Sequence, residues 1–523
     1  VVRGMNAYSS TETWQDGRET AVARRGIGRP LLLQFTIAMA LAFASRAWQF
    51  GNPIIQIDEQ FYLVVGERML QGAIPFVDIW DRKPVGTFLI FAATRLLGGD
   101  GIIEYQIVAT IFAGLTAFLI AVMALRFANA RGAASAGFAY LVWLIVFDGA
   151  GGQTPVFYNA FMAAAAALAM AAMDAKVSRL RAFALATGAM LLVGLALQIK
   201  YSAVFEGIFF GCALLWRWTK DTEGLRTVPV VAVSWVCAAL LPTFAVWSWY
   251  ALHGFGSAFV YANFLSIFDR SGWPVTTLVA RLAGIVALAS PLLLCAWLEH
   301  GSVREDRSET GRLTRRFAFG WLAAALGGVV VFGTYFTHYF LPALVPLCLV
   351  CATLLGDPKA TISATVAGRR HVLSIAAFAA VSASAVLALS VPKRLTSRGS
   401  ADAVLDVATA INRNRSGCML VFDGEPILYH LTNSCAVTTR IFPNHLNDDS
   451  ERVATGIDPV AEIHRIFAVE RPDIVVTSDR PDPHNNADTL REVRAELSRH
   501  YRLIYERTVG SRDRLVYKRT PWS

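Results

Sequence analysis

The segment Ile57-Asp58-Glu59-Gln60-Phe61-Tyr62 carries two adjacent carboxylates and a phenol. About twenty residues later, Asp78-Ile79-Trp80-Asp81-Arg82-Lys83-Pro84 adds two more carboxylates and two cations. An ionised carboxylate can take a proton from a nucleophile, and a lysine or arginine can hold a phosphate and the charge that develops as it departs. Both abilities in one short stretch suit a reaction that deprotonates an acceptor while breaking a bond to phosphate. Plainer readings exist. Asp58 stands where a helix would start and could be its N-cap, and residues 78–83 could be a solvated charge cluster. The density of both signs in one loop favours chemistry.

These residues need a scaffold, and the composition says what kind. Of 523 residues, 55% are hydrophobic and only 17% charged, against roughly 25% charged in an average soluble domain. That excludes a soluble enzyme, a disordered scaffold and a disulfide-stapled secreted domain. Apolar runs long enough to span a bilayer are expected at 31–50, 103–126, 132–148, 156–173, 182–199, 201–218, 227–250, 275–298, 317–336, 338–356 and 372–391, about eleven transmembrane helices. The net charge of +9 sits in short stretches between them, which suits insertion topology and lipid head groups better than nucleic acid.

With the 1–30 tail cytoplasmic, the inside segments hold Arg24, Arg25 and Arg29, then Arg126 and Arg131, then Lys176, Arg179 and Arg181. Further along come Arg217, Lys220 and Arg226, the cluster at 304–316, and Lys359, Arg369 and Arg370. The alternate loops hold far fewer basic residues, as the positive-inside rule requires. Residues 31–44 could otherwise be a signal peptide cut after Ala42-Phe43-Ala44, but thirty polar residues precede them. The first outer loop then covers 51–100, and the membrane domain covers 31–391. Within the loop, residues 58–71 read as an amphipathic helix lying along the interface, and Pro84 to Leu97 as a second interfacial helix. Arg46 and Arg281 read as snorkelling cations. Trp48, Phe50, Trp80, Trp249, Tyr250 and Trp273 read as an interfacial aromatic belt.

Residues 393–523 change character and read as a small α/β domain on the outer side. Strands are expected at Met419–Phe422 and Asp473–Thr477, and helices at 400–412, 458–470 and 487–499. Five cysteines lie in expected spans, where a small buried hydrophobe is the ordinary reading. Cys418 and Cys435 lie in the outer domain, in a compartment that allows a disulfide, with a hairpin-like turn between them.

The pattern D-E-x-x-Y followed by G-x-x-P-F-x-D-x-W-D-x-K-P, from Asp58 to Pro84, resembles the first periplasmic loop of the GT-C glycosyltransferases. Within these it is similar to the bacterial branch related to protein O-mannosyltransferases and lipid A aminoarabinose transferases. Thr337-His338-Tyr339-Phe340-Leu341-Pro342 and its continuation to Pro346, Gly424–Tyr429 and Thr439–Leu446 extend the resemblance over nearly the whole chain past residue 30. The resemblance implies transfer of a sugar from a polyprenyl-phosphate-linked donor to a glycolipid, polysaccharide or protein hydroxyl, at the outer face of a bacterial inner membrane. It makes Asp58 the base. It assigns the donor phosphate to Lys83, with Arg82 beside it, and to Lys200 at the outer end of a helix. Glu59, Tyr62, Asp78, Asp81, His338 and Tyr339 would line the cavity; His338 by itself could equally be a satisfied helix-end histidine.

One departure stands out. Many members carry a glutamate after the second outer loop, where this chain has Asn159; Asp148 is the nearest substitute. No cofactor is implied and no metal-ligand spacing stands out, although a divalent ion at the acidic loop stays open. A lipid or sugar transporter is the competing reading, but such proteins usually show related halves with broken helices, and none are visible here.

Overall fold

The structure, a computed structural model, describes residues 31–220, 222–302, 308–356, 388, 391–392 and 396–520. Among the described residues, seven helices are long and apolar enough to cross a membrane: α1 (Leu31–Gln49), α4 (Ile102–Ala124), α6 (Thr154–Ala172), α7 (Arg179–Leu197), α9 (Thr222–Leu252), α10 (Val275–His300) and α11 (Glu309–Phe332). Three more expected spans form shorter helices, α5 (Ala130–Val146), α8 (Ala203–Trp218) and α12 (Leu341–Val350). Most of the eleventh, 372–391, and the tail 1–30 lie outside the described residues. The helical ends are set by ordinary signals. Asn129 caps α5 by accepting from Gly132 N at 2.8 Å, and Ser308 caps α11 by accepting from Gly311 N at 3.2 Å.

Between α1 and α4 lie two helices that do not span, α2 (Ile57–Leu70) and α3 (Val85–Arg95). The helix expected at 58–71 is present, but it is not an interfacial amphipath. Residues Glu59 to Gly66 are all buried, so α2 lies between the membrane helices on one side and the outer domain on the other. Asp58 is also not its N-cap; Gln56 takes that position and Asp58 falls in the first turn.

Two glycines allow the close approaches that build this region. A Cβ on Gly66 would sit 2.6 Å from Ala92 N, so α2 and α3 touch backbone to backbone. A Cβ on Gly86 would collide with Gln198 O, and Thr87 Oγ1 donates to Ile199 O at 2.9 Å. The start of α3 is thereby fastened to the end of α7, which brings Lys83 and Lys200 to the same place.

The outer domain is a four-stranded sheet in the order β1-β2-β4-β3, with β1 (Met419–Val421), β2 (Ile474–Ser478), β3 (Tyr501–Val509) and β4 (Arg512–Arg519). β1 pairs parallel with β2, while β2–β4 and β4–β3 are antiparallel. All five residues of β2 are buried, as a strand covered on both faces should be. Helices α13 (Ala401–Asn414), α15 (Pro459–Arg465) and α16 (Ala487–His500) match the expected stretches. Between β1 and the bridge partner of Cys418 runs the short helix α14 (Ile427–Leu431) rather than a hairpin turn. Cys418 and Cys435 form a disulfide, their Cα atoms 4.8 Å apart.

Candidate active site

The outer domain is clamped onto the first loop through side chains of both. Arg82 makes a two-pronged ion pair with Glu451, Nη1 to Oε1 at 2.7 Å and Nη2 to Oε2 at 2.5 Å, and Arg270 reaches the same carboxylate at 3.0 Å. Trp80 N donates to Thr439 O at 2.9 Å, and the Trp80 ring meets His445 edge-on at 4.7 Å. Phe61 packs on Phe442 at 5.0 Å, and His430 Nδ1 meets Glu67 Oε2 at 2.7 Å. Ile427 N also donates to Gln60 Oε1 at 3.4 Å, so the segments 424–429 and 439–446 both lie on the seam.

This seam corrects several expectations. Trp80 is buried against His445 and Arg440 and is not part of an interfacial belt. Arg82 commits both terminal nitrogens to Glu451, an ion pair that ties the loop to the outer domain. Asp78 is exposed and closes a turn by accepting from Ile74 N at 2.7 Å; it does not join the cavity. Arg46 does not snorkel. It is 1% exposed and donates to Thr110 Oγ1, Gly149 O and Gly151 O. Arg281 stacks between Trp273 and Phe336, 4.0 and 4.2 Å from their centroids, and donates to Thr334 O at 3.1 Å.

Asp58, Lys83, Lys200, His338 and Tyr339 come together beneath the seam. Gln153 Nε2 donates to Asp58 Oδ2 at 3.1 Å and fixes that carboxylate. Burial by itself would raise the Asp58 pKa, but Lys83, His338, the Gln153 hydrogen bond and Lys200 outweigh it and hold the carboxyl below its usual range. Burial disfavours the Lys83 ammonium, yet Tyr62, Asp58 and Asp81 oppose it and keep its pKa well above the ordinary value. The Lys83 ammonium lies 5.5 Å from the centroid of the Tyr62 ring, and Lys200 Nζ lies 4.1 Å from that of Tyr339. Lys200 is lowered to about 7, by burial first and then by repulsion from Lys83, with Asp58 pulling the other way.

The remaining carboxylates have separate positions. Asp81 is buried, accepts from Lys83 N at 2.7 Å and lies 3.6 Å from His445 Nε2, so it shapes the loop that presents Lys83. Glu59 turns away from Asp58 and accepts from Gly152 N; burial raises its pKa to about 7 despite Gly152 and the nearby Arg46. A side chain on Gly151 would collide with that carboxylate. Asn159 donates to Leu341 O at 3.1 Å and to the Tyr140 hydroxyl at 3.3 Å, a structural position. Asp148, with φ of +63°, accepts from Gln56 Nε2 at 3.3 Å at the edge of the cluster. Gln56 in turn accepts from Arg398 Nη2 at 3.2 Å.

Sequence reasoning gave no role to Gln153, Gln56 or Glu451. Gln153 and Gln56 are neutral and fall outside any motif, and Glu451 lies far from Arg82 along the chain; only folding joins them. Among the described residues, no group of three or more His, Cys, Asp or Glu is placed to hold a metal ion.

No family model and no curated protein matches the chain. Solved structures do. ArnT from Cupriavidus metallidurans bound to undecaprenyl phosphate aligns over 93% of this chain and 97% of its own, with a TM-score of 0.59 and 13% identity. The Archaeoglobus fulgidus oligosaccharyltransferase in its apo form aligns over 86% of this chain and 69% of its own, with a TM-score of 0.52 and 11% identity. The same archaeal enzyme, AglB, in complex with an inhibitory peptide and a dolichol-phosphate gives a TM-score of 0.51, 11% identity and the same coverage. At these identities the likeness is one of fold, and that fold is the polytopic membrane architecture with a small outer domain that the GT-C resemblance implied.

Proposed function

We propose that this protein is a membrane glycosyltransferase that moves a sugar from a polyprenyl-phosphate-linked donor to an acceptor hydroxyl at the outer membrane face. The observation that carries the reading is the cluster itself: one carboxylate whose pKa is held down by Lys83 first, then by His338, a hydrogen bond from Gln153 and Lys200. In the proposed step the acceptor oxygen attacks the anomeric carbon, and its proton passes to Asp58. The bond from that carbon to the phosphate oxygen breaks, and its electron pair leaves with the polyprenyl phosphate. Lys83 and Lys200 stabilise the departing anion, so no strong general acid is needed. Inversion at the anomeric carbon follows if Asp58 works on the face opposite the phosphate.

The structural neighbours support the donor class, since one is bound to undecaprenyl phosphate and another to dolichol-phosphate. A lipid-linked donor also accounts for a membrane scaffold. Each CH₂ of the tail buried between helices is worth roughly 0.8 kcal/mol. In this reading the protein sits in a bacterial inner membrane, with the N-terminus cytoplasmic and the 393–523 domain extracytoplasmic. That domain would close the acceptor side of the site. The acceptor is a glycolipid, polysaccharide or protein hydroxyl, and the chemistry supplied by these side chains needs no cofactor.

The test follows sugar release from a synthetic polyprenyl-phosphate sugar by purified protein in detergent or liposomes. Acceptor-dependent cleavage of the sugar–phosphate bond is expected. Donor that crosses liposomes intact and is never cleaved would replace a transferase with a transporter.

A further inference from the structure

On the membrane face opposite the catalytic cluster, a cavity of about 250 Å³ opens among α6, the N-terminal half of α7, the end of α8 and the first half of α9. Helix α7 relates the two places: it begins here at Arg179 and ends at Leu197, three residues before Lys200. A water needs only roughly 10–15 Å³ of such space, so the cavity can take a much larger guest. Ala172, Ala182, Ala186, Arg217, Trp218 and Trp235 line it.

Two features say what that guest must offer. Trp235 is 3% exposed, and its indole N–H is buried with no hydrogen-bond partner. A buried tryptophan N–H normally finds an acceptor, and the adjacent Trp218 does so, donating to Thr227 Oγ1 at 3.0 Å. Arg217 donates Nε to Met173 O at 3.1 Å, while its two terminal nitrogens make no hydrogen bond among the described residues. The other arginine at the site, Arg179, is already held by Glu223 at 2.8 Å and by the Trp218 face at 4.6 Å. Trp218 and Trp235, which line the cavity and pack on Phe183, would by themselves suit a cation. The guanidinium with unused donors decides for an oxyanion, and the alanines supply a surface for hydrocarbon.

We propose that this cavity binds the phosphate head group of an anionic membrane lipid. The phosphate oxygens accept from Arg217 and from Trp235 Nε1, and the upper acyl carbons lie over Ala172, Ala182 and Ala186. Basic pockets between membrane helices on the positively charged side recognise such head groups by the same chemistry. The site is separate from the proposed reaction and does not depend on it.

The experiment titrates delipidated full-length protein in detergent with phosphatidylglycerol, phosphatidylcholine or inorganic phosphate, read by native mass spectrometry and by thermal unfolding. Phosphatidylglycerol should stay bound and raise the unfolding midpoint, with phosphatidylcholine and phosphate doing neither. Arg217→Gln and Trp235→Phe should each weaken phosphatidylglycerol binding by about tenfold or more, the loss expected for one hydrogen bond to a charged group. Equal retention of the two lipids would overturn the proposal, as would wild-type affinity in Trp235→Phe or in a folded Arg217→Gln. Protection by inorganic phosphate as strong as by phosphatidylglycerol would overturn the lipid as its source. Trp235→Phe keeps the ring that packs on Phe183 and Trp218, so it decides the matter even if Arg217→Gln does not fold.

Discussion

Asp58 and Lys83 lie close enough to shift each other's ionisation, yet substitutions at the two should read out differently. Asparagine at 58 keeps the shape and can still accept from Gln153, but it cannot take a proton. Asp58→Asn should therefore stay folded and inserted while sugar transfer falls at least about a hundredfold, the low end for a general base. Near-wild-type turnover would remove the base from Asp58. In the proposed reaction Lys83 faces phosphate in both the bound donor and the departing product, so Lys83→Ala should weaken donor binding and slow turnover together. Lys83→Arg should retain part of both because the charge survives. Lys200 adds a pH dependence. Its pKa near 7 leaves it charged below that pH and neutral above it, so donor affinity should decline as pH rises through about 7. Lys200→Arg stays charged throughout and should flatten that decline; an unchanged profile would exclude Lys200 as the titrating group.

Among the elements, the seam between loop and outer domain has the most at stake. Glu451 serves both Arg82 and Arg270, and its side chain is only 6% exposed. Removing one member of a buried ion pair leaves uncompensated charge and costs roughly 3–5 kcal/mol. Glu451→Gln should therefore loosen the 78–84 loop, speed proteolytic nicking of the outer domain and lower transfer, whereas Asp78→Asn on the exposed side should do none of these. Unaltered proteolysis and transfer in Glu451→Gln would deny the seam that role. The sign with pH follows from the depressed carboxyl. Burial raises the Glu451 pKa, but Arg82, Arg270 and His445 bring it down to about 2. Its contribution is whole above the ordinary glutamate range, near pH 4.5, and is lost as pH falls toward about 2. A second element-level constraint is the Cys418–Cys435 bridge, which closes a separation of 17 residues. Replacing both cysteines by serine should cost the domain about 2–4 kcal/mol, read by its unfolding in non-reducing denaturant. Two titratable thiols in the non-reduced protein at these positions would dispose of the bridge.

At the scale of the whole molecule, the packing of α2 and α3 beneath the outer domain requires residues 51–83 and 396–520 to share one side of the membrane. If α10 and α11 each cross the membrane, their facing ends at His300 and Glu309 lie on the other side. Single cysteines at Asp78, Ser400 and Ser308, probed in intact cells with an impermeant thiol reagent, should label at the first two positions and not at the third. The reverse pattern would invert the topology and place the proposed chemistry on the wrong face.

How much of this was legible in the sequence follows from what each feature depends on. Apolar runs of helical length and basic residues biased to alternate loops are local properties, so most expected spans became helices in place. The first-loop motif named Asp58 and Lys83 because their spacing is itself local. β3 and β4 escaped notice because their sequences, such as Arg512–Arg519, are crowded with charge and become strands only by pairing with β2 and each other. The same dependence on partners explains the misplaced roles. Asp78 and Arg82 looked like site residues because they neighbour Lys83, but one caps a turn and the other meets a glutamate from a domain more than 360 residues away. Arg46 looked like a residue reaching for water until the 149–151 turn supplied its acceptors. Residue type, hydropathy and charge bias thus determined the membrane architecture and the presence of carboxylates beside cations in the first loop. Which carboxylate faces which cation was decided only by tertiary structure, because an electrostatic partner is chosen by distance through space and not by order along the chain.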